Sequence, residues 1–194
     1  PPADVCVTNV FWLPALARLR GKGIGSLYVS IARVPKGHLF LYTHAPRIHA
    51  VSSFIYDAVV AQRPDLAHRT RAVPNPIDLA YFSPPKVARN FAPPSAQGRT
   101  LLYTGRIHPE KGLHVLAQAY ARARERCPDL RLRLVGPSSV DKGGGGDAYV
   151  AQIRSLVGAH PVSIDAPIYD RAKLADALRE ATFYCYPSLA EAGE

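Results

Sequence analysis

Residues 101–136, LLYTGRIHPEKGLHVLAQAYARARERCPDLRLRLVG, constrain the fold of this chain more than any other stretch. An apolar run, Leu101 to Tyr103, meets Gly105 and Arg106, and a short polar turn holding Pro109 delivers Lys111 and Gly112. Leu113, Leu116, Ala117, Tyr120 and Ala121 then recur at the spacing of one helix face. Cys127-Pro128-Asp129 ends that pattern, because proline lacks the donor a further turn needs. Leu132, Leu134 and Val135 make a second strand, closed by Gly136-Pro137. Strand, helix and strand of these lengths form a parallel βαβ unit with a right-handed crossover. Arg106 and Lys111 fall in the loop where strand passes to helix, the edge of a parallel sheet at which ligands bind. Two fixed cations beside a helix start suit a diphosphate. Two solvated surface cations are the competing reading, as for most Arg and Lys side chains.

The second half continues in the same rhythm. A loop is expected over 138–147, a helix over Tyr149–Val157, a short strand at Val162–Ile164, a helix over Arg171–Ala181 and a strand at Phe183–Tyr186 that stops at Pro187. The first half repeats the theme less regularly. Val5–Val7, Ser26–Ile31, His49–Val51 and Thr70–Val73 read as strands; Phe11–Arg20, Lys36–His44 and Ser53–Gln62 read as helices. Pro74-Asn75-Pro76 signals a turn. Four prolines without periodicity between Phe82 and Gly98 read as a linker. The expected organisation is α/β: two Rossmann-like domains, each on a mainly parallel sheet, over 1–82 and 99–194, joined by a linker at 83–98.

Composition narrows the functional classes. At 47% apolar and 20% charged, the chain of 194 residues is globular rather than disordered. No apolar run reaches the roughly 18–20 residues that cross a bilayer. Cys6, Cys127 and Cys185 are scattered without metal-ligand spacing and fit reduced thiols in a cytosolic protein. The sequence has no Met, opens on Pro1-Pro2 and stops at Glu194 inside a motif, so it reads as an internal fragment. The net charge of +9 is uneven: 11 Lys and Arg against 4 Asp and Glu over 1–98, and 13 against 11 over 99–194. Such a bias fits an anionic partner of the first half, either phospholipid head groups or a phosphorylated acceptor. A basic surface without a partner has comparable standing. Nucleic acid ranks last, since no helix-turn-helix, zinc or RNA-recognition pattern is present.

Pro187–Glu194, PSLAEAGE, follows a strand, so Ser188, Glu191 and Glu194 fall at the same sheet edge as Arg106. A carboxylate there could accept hydrogen bonds from sugar hydroxyls, or be an exposed acid in a polar loop. Gly143–Gly146 lacks the spacing of a phosphate loop and reads as a flexible surface loop. The seven histidines show no zinc spacing. His108 adjoins the diphosphate loop, and His44 and His49 flank Arg47. Tyr103, Tyr120, Tyr184 and Tyr186 read as packing residues.

In this order and spacing, TGRIHPEKG, LVG and YPSLAEAGE resemble the retaining, two-domain (GT-B) nucleotide-sugar glycosyltransferases of family 4, the glycosyl transferases group 1. Val51-Ser52-Ser53-Phe54 resembles a segment of that family's acceptor-side domain, and Val73-Pro74-Asn75-Pro76-Ile77-Asp78 its turn before the domain crossover. The resemblance implies two Rossmann-like domains with the donor held mainly by the second. By similarity, Gly105, Arg106 and Lys111 would contact the donor diphosphate, with Arg106, Lys111 and Glu194 carrying catalysis. Glu194, or else Glu191, would be the first acid of an E-x7-E element that holds the transferred sugar. Ser188 would adjoin the donor, and Gly136 and Ile168 the nucleotide base. No metal or other cofactor is implied, only a nucleoside diphosphate sugar as donor.

The expected acceptor is a glycan or lipid-linked hydroxyl, and the expected place the cytoplasm, with peripheral contact at an anionic membrane face. Three departures stand out. The family's N-terminal glycine-rich loop would precede Pro1. Thr8 and Asn9 stand where many members carry His, and Pro76 follows Asn75 where Gly is common. A Rossmann-like module that binds a nucleotide or anion without chemistry is the alternative from a different class.

Overall fold

The computed structural model describes residues 3–17, 24–84 and 98–189, and the apolar runs become parallel strands. Described residues up to Pro76 form one compact unit, and those from Ile77 onward form a second.

In the first unit, β1 (Ala3–Thr8), β2 (Ile24–Ile31), β3 (Arg47–Ala50) and β4 (Thr70–Ala72) lie in the order β1-β2-β3-β4, each pair parallel. Val29, Ile31, Ile48 and Ala50 are buried and meet Ile55 and Val59, which lie four apart on helix α2 (Ser53–Gln62). The Ser52 hydroxyl caps α2 by accepting from the Ile55 amide at 3.2 Å. Helix α1 (Leu13–Ala17) starts at Leu13 rather than at the expected Phe11, and residues 18–20 of the expected helix lie outside the described part.

The expected helix over Lys36–His44 is a single 3-10 turn, Leu39–Tyr42. The buried pair Leu39 and Tyr42 explains it: three residues apart, they share one face at three residues per turn. Pro35, Gly37 and Pro46 leave no room for a longer helix.

The second unit opens with the short helix α3 (Leu79–Phe82), capped by the Asp78 carboxylate, which accepts from the Ala80 amide at 3.1 Å. The expected linker lies outside the described residues, apart from Ser83, Pro84 and Gly98. Four parallel strands follow: β5 (Arg99–Thr104), β6 (Leu130–Val135), β7 (Val162–Asp165) and β8 (Phe183–Tyr184). Between them lie α4 (Leu113–Arg126), α5 (Gly146–Val157) and α6 (Arg171–Glu180).

Alternation along β5 and β6 makes two cores. Tyr103, Leu132 and Leu134 pack with Leu113, Leu116 and Tyr120 of α4 and Tyr149 and Ile153 of α5. Leu102 and Val135 point the other way and meet Ala177 of α6. The spatial order β7-β6-β5-β8 follows from this layering. The crossovers through α4 and α5 step outward on one face; the one through α6 returns on the other and sets β8 beside β5. The direction in which strands are added to the sheet therefore reverses between β5 and β8, although the two strands are parallel. Crevices for ligands open at such a reversal, outside the carboxyl ends of the two strands.

Candidate functional site

Both loops at the reversal come from the segments singled out by sequence. After β5 the chain runs through Gly105 and Arg106 to Ile107, which is fully buried and anchors the loop. The Ile107 amide donates to Pro137 O at 2.9 Å, and its carbonyl accepts from Gly145 N at 2.8 Å. Pro109–Lys111 forms a 3-10 turn, and Gly112, left-handed at φ 66°, passes the chain into α4. The loop after β8 lies against this one: Leu189 N donates to Glu110 O at 3.0 Å, and a Cβ on Gly112 would sit 2.1 Å from Pro187 O. Ser188 is thereby held beside the Glu110–Gly112 backbone. Gly136, at the end of β6, passes so close to Gly105 that a Cβ there would lie 1.8 Å from the Gly105 carbonyl oxygen.

The two cations differ in setting. Arg106 is partly exposed; its Nη1 donates to Gly143 O at 3.1 Å and its Nη2 approaches Glu110 Oε2 at 3.5 Å. The carboxylate contact is long and solvated, worth at most about 1 kcal/mol, so an anion can displace it. Lys111 is 6% exposed, rare for a lysine. Its Nζ donates to Tyr186 Oη at 3.1 Å and lies 5.5 Å from the centre of that ring. His108 is occupied by its own turn, since Nδ1 accepts from the Glu110 amide at 3.3 Å.

The remaining sequence-derived site residues divide. Gly105, Arg106, Lys111, Gly136 and Ser188 share the strand ends around the reversal. Ile168 lies in the loop after β7, at the sheet's edge, and packs partly buried against Leu102, Val135 and Ala177. Glu191 and Glu194 lie outside the described residues.

Two features went unread in the sequence. The 143–146 glycines are not a flexible surface loop. Gly144 is buried, with room for no side chain against Ser138, and α5 starts at Gly146 rather than at Tyr149. The loop folds onto 105–109 and presents a carbonyl to Arg106. The run of four glycines was the available signal, though it lacked the partner that explains it. Nor are the tyrosines uniformly core. Tyr103 and Tyr120 are buried, but Tyr184 and Tyr186 are 48% and 47% exposed.

Burial, with Tyr186 and Tyr184 close by, raises the Tyr103 hydroxyl above its ordinary pKa, so it stays neutral and donates a hydrogen bond to Arg106 O at 2.9 Å. Burial likewise raises the Cys185 thiol, which argues against a nucleophilic role. In the first unit, His49 bridges strands: Nε2 donates to Val73 O at 2.6 Å and Nδ1 meets Ser30 Oγ at 3.0 Å. Its ring is thus engaged in holding β2, β3 and the end of β4. Among the described residues no helix is long and apolar enough to cross a membrane.

The fold and the loop chemistry define a class, and similarity to known proteins agrees with it. Residues 98–193 match the family model described as glycosyl transferases group 1, and through them the chain belongs to that family. Among curated relatives, a phosphatidyl-myo-inositol mannosyltransferase of Mycobacterium tuberculosis is 32% identical over 117 residues, which are 60% of this chain and 28% of the relative. A D-inositol 3-phosphate glycosyltransferase of Kribbella flavida is 34% identical over 125 residues, 61% of this chain and 30% of that one. These matches therefore span less than a third of either relative.

Among solved structures, Anabaena Alr3699/HepE in complex with UDP and glucose superposes with a TM-score of 0.71 at 18% identity, over 96% of this chain and 53% of that one. Sucrose-phosphate synthase from Thermosynechococcus elongatus gives 0.69 at 22% identity, over 95% and 50%. At such identities the likeness establishes the fold, which is GT-B: two Rossmann-like units, each here on a parallel four-stranded sheet.

Proposed function

We propose that the full-length protein transfers a glycosyl group from a nucleoside diphosphate sugar to an acceptor hydroxyl, with retention of anomeric configuration. One observation carries the reading: a partly exposed guanidinium and a nearly buried ammonium occupy the loop at the sheet's reversal point. As the bond from the anomeric carbon to the β-phosphate oxygen breaks, negative charge builds on the departing diphosphate. Arg106 and Lys111 compensate it in place, with Gly105 beside the donor phosphates and Gly136 near the base. The acceptor oxygen bonds to the anomeric carbon on the face the diphosphate leaves, and its proton passes to a departing phosphate oxygen. Placement and charge compensation do the work, so no metal is required. Ser188 and Ile168 adjoin the donor in this reading, and Glu194 or Glu191 holds the transferred sugar.

Names among the similar proteins support a nucleotide sugar as donor, since one neighbour was solved with UDP and glucose. Two relatives named for inositol phospholipid or inositol phosphate support an anionic, lipid-linked or phosphorylated acceptor. The basic first half suits such an acceptor, at the cytoplasmic face of a membrane.

Arg106→Ala and Lys111→Ala in the full-length enzyme should each lower turnover by about 100-fold or more, the usual loss on removing one transition-state donor. Normal rates in both would refute the clamp. Donor binding with neither transfer nor hydrolysis in the wild type would instead identify a non-catalytic binding module. Treatment with a chelator should leave the rate unchanged.

A further inference from the structure

The two tyrosines nearest the clamp are arranged as a support for it. Lysine carries a flexible four-carbon stem, and ordering it costs about 2 kcal/mol of rotamer freedom. In an open loop that cost would fall on donor binding. Here the ammonium already has a hydroxyl acceptor at 3.1 Å and an aromatic ring 5.5 Å away, both supplied by Tyr186. Tyr186 is itself half exposed and just past the end of β8, a poor anchor alone. It is fixed by stacking on Tyr103, with ring centres 6.4 Å apart and planes 20° off parallel. Tyr103 has no exposed surface and ties its hydroxyl to the Arg106 carbonyl. A continuous path thus runs from the Arg106 backbone through Tyr103 and Tyr186 to the Lys111 ammonium.

We infer that Tyr186, seated on Tyr103, is a positioning residue that holds the Lys111 ammonium ready for the donor diphosphate. This rests on the proposed function, since it matters only if Lys111 contacts the donor. Tyr103 ties the same stack to the Arg106 backbone, while the Arg106 guanidinium is held separately by Gly143 O and Glu110.

The test is a double-mutant cycle in the full-length protein, with affinities for UDP and for GDP measured by calorimetry and thermal midpoints measured alongside. Tyr186→Phe keeps the stacked ring and removes the hydroxyl; it should weaken binding of whichever nucleotide the wild type prefers by about 3- to 10-fold, the usual range for one hydrogen bond. Tyr186→Leu removes the stack as well and should weaken it further. In a Lys111→Ala background both changes should leave affinity unaltered, although their effects on the thermal midpoint should persist. Losses that multiply in the double variants, or a wild-type affinity in Tyr186→Phe and Tyr186→Leu, would overturn the inference while leaving the clamp intact. An unaltered affinity in Lys111→Ala would remove the clamp and this role together.

Discussion

Arg106 and Lys111 could be singled out in the sequence because each follows a strand and precedes a helix, a local pattern of apolar run, glycine and period. Their surroundings could not. The carbonyl that accepts from Arg106 belongs to Gly143, 37 positions on, and the ring beneath Lys111 to Tyr186, 75 positions on. No spacing rule links such pairs. Gly136 is the residue with least latitude. Gly136→Ala should destabilise the protein by about 1–3 kcal/mol, since the added methyl drives into the Gly105 carbonyl and the loop must shift. A lowered urea midpoint would show it, and because the displaced backbone carries Arg106, nucleotide affinity should fall too. An unchanged midpoint would mean the two loops have slack the structure does not show.

At the scale of elements, the long helix α4 was legible because Leu113, Leu116, Ala117 and Tyr120 repeat at the helical period and Pro128 marks its end. Short elements were not. The Lys36–His44 stretch has too few buried positions to fix a period, and three-residue spacing gave one 3-10 turn. Likewise β8 holds only Phe183–Tyr184, though Cys185 N still donates to Leu102 O at 2.9 Å. Caps offer a sharp test of what defines an element. The Asp170 side chain accepts from the Lys173 amide at 3.0 Å at the start of α6. Asp170→Ala should cost about 1 kcal/mol, and Asp170→Asn far less. Equal losses in denaturant titrations of the two would show that charge, not the cap bond, matters there.

For the whole molecule, buried tyrosines in both units set an alkaline limit. Burial raises the hydroxyl pKa of Tyr42, Tyr103, Tyr120 and Tyr149 above the ordinary 10.0. Below about pH 10 both native and unfolded chains keep these protons, and stability is unaffected. Above it the unfolded chain ionises first, so stability should fall as pH rises. Urea midpoints measured from pH 9 to 11 should trace that decline. Tyr103→Phe, with no proton to lose, should decline less steeply; an identical slope would show that Tyr103 does not contribute.

From its sequence alone this protein could be assigned to the parallel α/β class, with two cations at a strand-to-helix loop. Apolar period, glycine and proline act over a few residues and are visible in order. Only the tertiary structure decided that β8 lies beside β5, that a glycine run abuts Arg106 and that two tyrosines stack beneath Lys111. Those facts depend on which distant segments become neighbours, and that is settled by layering both faces of the sheet, where no local pattern reaches.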